Sequence, residues 1–402
     1  MSMQSFAELG VSKPVRDALE RRGIAEPFAV QRLVIADAIA GRDVLAKSPT
    51  GSGKTLAFGI PIVERLDAGA PRPAALVLAP TRELASQITD EISAIAHARG
   101  LRVAAVYGGV GISKQAALAA RAHIVVATPG RLEDLLSRGS IKLDSVSMLV
   151  LDEADRMLDM GFRPAVERII ARAPRARQTL FFSATLDGLA GQLARQHTTD
   201  ALVRDHSPAS GADSLDLEHR FVAVADEGRV EALVAELEGE RELALVFVRT
   251  KRGADRLVKR LDSHGVAAAA IHANKSQRQR EQALEHFESG HIDTLVATDI
   301  AARGIDIDGV SHVINFDPPG DHASYLHRVG RTARAGRSGV GITLVAASQR
   351  QDVRRLAREL GIATGLGGGH NDAPAASRSE RSGTRRNRPS RRRRRSPRRE
   401  SA

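Results

Sequence analysis

The sequence predicts an α/β protein built from two tandem parallel-sheet domains. Three observations carry that expectation. Short apolar runs at 43–46, 75–79, 103–107, 124–127, 148–151 and 179–182 alternate with longer amphipathic stretches such as 83–98. Strands buried on both faces read as continuous apolar runs, and the crossovers between parallel strands supply the helices. A polar segment, about 204–217 with "DHSPASGADS", then interrupts the pattern, and the alternation restarts with runs at 244–248, 267–271, 294–297, 312–316 and 342–345. At 402 residues and 42% hydrophobic content the chain can bury two cores.

Taken in order, the first run leads into "SPTGSGKT", residues 48–55, which opens a helix-like stretch at 56–66. The phosphate-loop pattern GxxxxGK[ST] is met at Gly53, Lys54 and Thr55, with Ser48 in the first glycine position. Gly51 and Gly53 let the backbone turn its N–H groups toward phosphate oxygens, Lys54 suits the β and γ phosphates, and the Thr55 hydroxyl suits Mg²⁺. The plain alternative is a glycine-rich turn that contains a lysine. The run at 148–151 ends in Asp152, Glu153 and Asp155. Beside a phosphate loop, Asp152 can hold Mg²⁺ and Glu153 can polarise an attacking water. Without one, the same acids would serve to cap the helix that begins "EADRMLDMGF".

After residue 362 the chain has almost no large apolar side chains, so 363–402 is expected to be disordered. Residues 371–402 hold 12 arginines and three acids, +9 of the formal +11, so the remaining chain is nearly balanced at +2. Such a segment binds polyanions without sequence preference. Cysteine is absent, which excludes disulfides and thiolate metal sites. The start "MSMQSFAELG" has no basic region followed by an apolar run, and no apolar run is long enough to span a bilayer. A cytoplasmic protein without a membrane segment is therefore expected. Aromatics are only 3% and Trp is absent, which argues against reading bases by stacking.

These residues resemble the motifs of the DEAD-box RNA helicases. "DEAD", residues 152–155, resembles motif II, and "GIAEPFAVQ", 23–31, resembles the Q motif with Phe6 at its upstream aromatic position. "PTREL" at 80–84, Gly108–Gly109 and "TPGR" at 128–131 resemble the RNA-contacting motifs of the first domain, and "SAT" at 183–185 resembles motif III. In the second half "LVFVRT" (245–250), "QRQR" (277–280), "ATDIAARGID" (297–306) and "HRVGRTARAGR" (327–337) resemble motifs IV to VI. The resemblance covers about 5–360; a dozen short motifs in order are specific where one alone would not be. Three positions depart from the usual pattern: Phe28 where Thr or Ser is common, Ser48 where Ala is common, and Ala333 where Gly is common.

The resemblance implies two RecA-like domains, an ATP-binding one over 1–205 with its Q motif at 4–32 and a C-terminal one over 218–362, joined by a linker at 206–217. It implies ATP and Mg²⁺ as ligands and RNA, single-stranded or short duplex, as the partner. Phe6, Gln31, Ser48, Pro49, Thr50, Gly51, Ser52, Gly53, Lys54, Thr55 and Asp306 would bind ATP, with Thr55 and Asp152 at the metal. Lys54, Asp152, Glu153, Arg331 and Arg334 would be catalytic, the two arginines reaching the γ-phosphate from the other domain. Asp155, Ser183 and Thr185 would couple hydrolysis to RNA. Pro80, Thr81, Arg82, Gly109, Thr128, Arg131 and Thr298 would contact RNA, mostly at phosphate and sugar, with the 2′-hydroxyl separating RNA from DNA. A monomer is expected. A ribonuclease or ribosomal complex as a protein partner of the basic tail stays open, as do a DNA helicase of the same superfamily and an RNA-annealing or scaffold protein acting mainly through the tail.

Overall fold

The computed structural model describes residues 4–48, 52–206, 217–302, 307, 309–333 and 337–366. Among these, seven strands form the first sheet: β1 Val44–Lys47, β2 Ala75–Leu78, β3 Val103–Val106, β4 Ile124–Ala127, β5 Met148–Leu151, β6 Gln178–Ser183 and β7 Leu202–Asp205. Six form the second: β8 Leu217–Val224, β9 Leu243–Val248, β10 Ala268–Ile271, β11 Thr294–Thr298, β12 Val310–Asn315 and β13 Gly339–Ala346. Their spatial orders are β3-β4-β2-β5-β6-β1-β7 and β10-β11-β9-β12-β13-β8. Every pairing is parallel.

A parallel sheet needs helices on both faces, and the core of the first domain divides accordingly. One face of the sheet packs Val44, Val77, Val150 and Phe182 against the helices Ala29–Ile39, Lys54–Arg65 and Arg82–Ala96. The other packs Leu76, Leu149 and Phe181 against Pro129–Ser137 and Arg163–Ala171. Successive residues of a strand point to opposite faces, so runs such as Leu76–Val77–Leu78 are apolar throughout because both faces are buried.

Eleven expected strands are present with ends moved by a few residues. Two more, β7 and β8, were not expected. Both are edge strands. β7 alternates half-buried and exposed residues and carries Arg204 and Asp205; β8 reads "LEHRFVAV" and is mostly half-buried. Charge on an edge strand blunts further pairing; these two strands carry it and so lack the apolar run by which buried strands are recognised, and the polar segment expected at about 204–217 is shorter than its composition suggested. β13 begins at Gly339, three residues before the expected 342, because Gly339 and Gly341 break the apolar run.

Two buried polar side chains fix the entry to this sheet. Asp43 accepts the backbone N–H of Thr179 and of Thr199, each at 2.7 Å. Gln178 Nε2 donates to the carbonyls of Ala38 (2.8 Å) and Arg42 (2.6 Å). Backbone groups at strand ends must find partners once buried, and these two residues supply them for β1, β6 and the approach to β7. No helix among the described residues is long and apolar enough to cross a membrane.

Candidate functional site

In a parallel sheet, ligand sites form beyond the carboxyl ends of the strands, and the singled-out residues follow that rule. β1 ends at Lys47 and delivers Ser48, whose N–H donates to the Ser183 carbonyl at the end of β6 (2.9 Å). Ser48 and Ser52 hydroxyls lie 2.6 Å apart, and Lys54 Nζ donates back to the Ser48 carbonyl at 3.3 Å. Gly53 sits at φ +84 as the cap of the helix Lys54–Arg65. A Cβ there would stand 2.6 Å from the Phe28 ring and 2.8 Å from Gln31 Nε2. Glycine is therefore required twice, by conformation and by space.

Gln31 is fully buried at the start of the helix Ala29–Ile39. Its Oε1 accepts the Phe28 N–H at 2.9 Å and its Nε2 donates to the Gly53 carbonyl at 3.0 Å. One N–H and one lone pair of the amide remain for a ligand. Phe28, at the position that departs from the family pattern, keeps about half its surface exposed over Gly53. Phe6 is packed in the first core.

β5 delivers Asp152, whose N–H donates to the Leu78 carbonyl at the end of β2 (2.9 Å). Asp152 Oδ1 accepts the N–H of Glu153 at 3.0 Å. Glu153 is left-handed, φ +48, and caps the helix Ala154–Asp159. That strained turn for a non-glycine residue places two carboxylates side by side, both buried. Burial pushes the Asp152 carboxyl up to about 6, Glu153 adding to the rise and Lys54 opposing it. Burial acts on Glu153 as well, yet Arg156, Lys54 and Arg331 together hold it low, at about 2. Arg156 pairs with Glu153 directly, and both side chains are almost wholly enclosed. Arg156 is an addition to the expected site residues, although a base three residues after an acid at a helix start is a readable signal.

Asp155 faces the next strand. Its Oδ2 accepts the N–H groups of Ala184 and Thr185, each at 3.1 Å, and the Thr185 hydroxyl at 3.5 Å. The expected link between the acid cluster and "SAT" is thus a set of hydrogen bonds. β6 lies between β5 and β1, so Ser183 also touches the phosphate loop through the Ser48 bond.

The second sheet brings its residues over the same edge. Arg331 is buried, donates to the His327 carbonyl at 3.3 Å and acts electrostatically on Glu153. His327 is held below its ordinary pKa by burial and by Arg156, with Asp155 and Glu153 opposing. Arg328, in the same motif, turns inward instead. It grips Asp299 at 2.6 and 2.8 Å, donates to Asn315 and to the Asp317 carbonyl, and lies over the Phe247 ring. It fixes the end of β11 rather than the cleft. Pro49, Thr50, Gly51, Asp306 and Arg334 lie outside the described residues, as do most of the linker and the basic tail.

The expected nucleic-acid residues occupy the other half of the first edge, after β2, β4 and β3. Thr81 caps the helix Arg82–Ala96, its hydroxyl accepting the Leu84 N–H at 3.3 Å. Pro80 precedes it and is buried; Thr128 caps the helix Pro129–Ser137. Arg131 donates to the Val110 carbonyl (3.0 Å) and to Gln115 (2.9 Å). Gly109 lies between Arg82, whose Nη1 would be 2.3 Å from an added Cβ, and Gln277 of the second half at 3.5 Å. Arg280 and Glu83 form a buried ion pair at 2.8 Å across the two halves. This contact carried no sequence signal, its partners being almost two hundred positions apart. Thr298 ends β11 and is buried.

The site suits a magnesium–nucleotide. Asp152 and Thr55 offer the hard oxygen donors that Mg²⁺ takes, and the Asp152 carboxyl, raised by burial and by Glu153 beside it, would gain from a cation at its side.

Residues 28–190 match the family described as DEAD/DEAH box helicase, and 228–336 match the helicase conserved C-terminal domain. The DEAD-box ATP-dependent RNA helicase CshA of Geobacillus kaustophilus is 43% identical over 346 residues, 85% of this chain and 74% of that protein. Among solved structures, S. cerevisiae Dbp5 bound to RNA and ADP BeF3 is 28% identical with a TM-score of 0.80, covering 88% of this chain and 93% of that one. A doubly truncated Mss116p bound to ssRNA and AMP-PNP is also 28% identical with a TM-score of 0.80, over 89% and 78% of the two chains.

Replacing Arg156 by Ala should cost about 3–5 kcal/mol of stability, because it strands Glu153 as a buried charge. Arg156→Lys should recover part of it. Thermal and urea unfolding of the full chain checks this; a loss below about 1 kcal/mol would contradict the pairing.

Proposed function

The chain belongs to the DEAD/DEAH box helicase family, and on that premise we propose that it is an RNA-stimulated ATPase that opens short RNA duplexes by closing its two domains. The observation that carries this is the convergence of Lys54, Asp152 and Glu153 from the first sheet with Arg331 from the second on one cluster of buried charge. The domain assignment follows it: an ATP-binding domain over 1–205, a connection at 206–217 and a C-terminal domain over 218–362.

Lys54 and Thr55 would hold the nucleotide phosphates, and Gln31, with its remaining N–H and lone pair, would meet the adenine edge. Thr55 and Asp152 would hold Mg²⁺, which when bound offsets phosphate charge and polarises the γ-phosphoryl group. Glu153, ionised and held in place by Arg156, is suited to orient the attacking water and accept its proton. Arg331 is suited to stabilise charge on the transferring oxygens, and Arg334 of the same motif would share that role. Because the arginines belong to the second domain, ATP favours the closed arrangement by touching both halves, and RNA lying across Thr81, Arg82, Gly109, Thr128, Arg131 and Thr298 favours the same arrangement. Asp155 passes the state of the acid cluster to Ser183 and Thr185. RNA decay, ribosome assembly or general RNA remodelling would all use this cycle, and a cytoplasmic monomer suits each.

ATP hydrolysis should rise severalfold or more with single-stranded RNA and little with DNA of the same sequence. Glu153→Gln should lower kcat by about 10²–10⁴-fold. Equal stimulation by DNA would favour a DNA-directed enzyme. The +9 charge of 371–402 favours one further reading, annealing through the tail; annealing that survives Glu153→Gln would support it. Deleting 371–402 should raise the KM for RNA and flatten its salt dependence while kcat changes little. An unchanged salt slope would remove the tail from RNA binding.

A further inference from the structure

The chain crosses between the domains once, from β7 to β8, and both strands are held by side chains that the motifs do not include. On the first side, β7 runs in register beside β1, the strand that carries the phosphate loop, up to the bond from the His206 N–H to the Lys47 carbonyl at 2.8 Å. Arg204 reaches from β7 to Asp37 on the helix Ala29–Ile39, which carries Gln31 in its first turn. Its Nε and Nη2 both donate to Asp37 Oδ2, at 2.9 and 2.5 Å, with both side chains about two-thirds enclosed. On the second side, β8 pairs with β13, and His219 of β8 stands 2.8 Å from the Tyr325 hydroxyl. Tyr325 is fully buried on the helix His322–Val329, two residues before His327 and six before Arg331, and Phe221 of β8 stacks on its ring at 6.3 Å. Burial lowers the proton affinity of His219 and raises that of the Tyr325 hydroxyl, which favours the neutral forms and a hydrogen bond within an apolar stack.

We infer that Asp37–Arg204 and His219–Tyr325 are positioning pairs: they fix the two ends of the interdomain connection to the helix that carries Gln31 and to the helix that leads into Arg331. This rests on the proposed closure of two domains around ATP and RNA. Each pair sets the direction in which the chain leaves its domain. Nucleotide engagement at Gln31 and Arg331 is thereby conveyed to the orientation of the domains as well as to their contact surfaces. A slack-chain effect is distinguishable by size. Freeing the four residues of β7 would lengthen the connection from ten residues to about fourteen, and loop-closure entropy makes that worth less than a twofold change in the closing equilibrium. A larger effect requires lost orientation.

The test is the coupling between two ligands on the full chain: the Kd of a labelled single-stranded oligoribonucleotide with and without AMP-PNP and Mg²⁺. Coupling in two-state proteins spans about 5–150-fold. Asp37→Asn and Tyr325→Phe should each lower the ratio by about three- to tenfold, while the Kd of each ligand alone stays within about twofold. Exchanging the charges in Asp37→Arg/Arg204→Asp should restore it. A ratio within twofold of wild type in both single variants overturns the inference, and so does a lowered melting temperature with the ratio intact. A wild-type ratio near one would instead remove the closure reading on which the pairs depend.

Discussion

Two carboxylates buried side by side at the end of one strand cannot both stay ionised unless cations surround them. Asp152 and Glu153 impose that constraint, and much of the molecule answers it. Arg156 meets Glu153 from one helical turn away, Lys54 comes from the start of the helix after β1, and Arg331 comes from the second domain. The charges do not balance within the first domain alone. Asp152 keeps a raised proton affinity even with Lys54 nearby, and that unmet demand is what a divalent cation and a second domain can satisfy.

Strand order turns this local demand into a division of labour. The phosphate loop, the acids and "SAT" follow β1, β5 and β6, which are neighbours, while the candidate RNA residues follow β2, β4 and β3 on the other side of β5. The acid strand therefore lies at the boundary of the two regions. Asp155 faces β6 through three hydrogen bonds, and Asp152 is tied to Leu78 at the end of β2. The acid strand is thus bonded to both neighbours, through Asp152 on one side and Asp155 on the other. The second sheet closes over each region with its own contact: Arg331 near Glu153, and Arg280 on Glu83 beside Gly109.

Buried strands and motif residues were legible in the sequence because each leaves a local mark. Met148–Leu151 is apolar on both faces, and "SPTGSGKT" and "DEAD" keep chemistry within a few positions. β7 and β8 escaped notice because charged and half-exposed residues break their apolar runs. Arg156 carried a signal, three residues after Glu153, that the motif itself obscured. Glu83–Arg280, Asp37–Arg204 and His219–Tyr325 join residues 197, 167 and 106 positions apart, and nothing local marks such pairs. The general pattern is that the sequence shows which groups do chemistry and the fold shows which groups hold them.

In a composite catalytic site, the second domain would stabilise the transition state more than the bound nucleotide. Single-turnover ATP hydrolysis by full-length Arg331→Ala, with saturating RNA, tests it most directly. A guanidinium acting on a transferring phosphoryl group is worth about 10³–10⁵ in rate, so the rate should fall by about that factor while the Kd for ATP changes only a few-fold. A rate within about tenfold of wild type, or a loss confined to ATP affinity, would contradict the account.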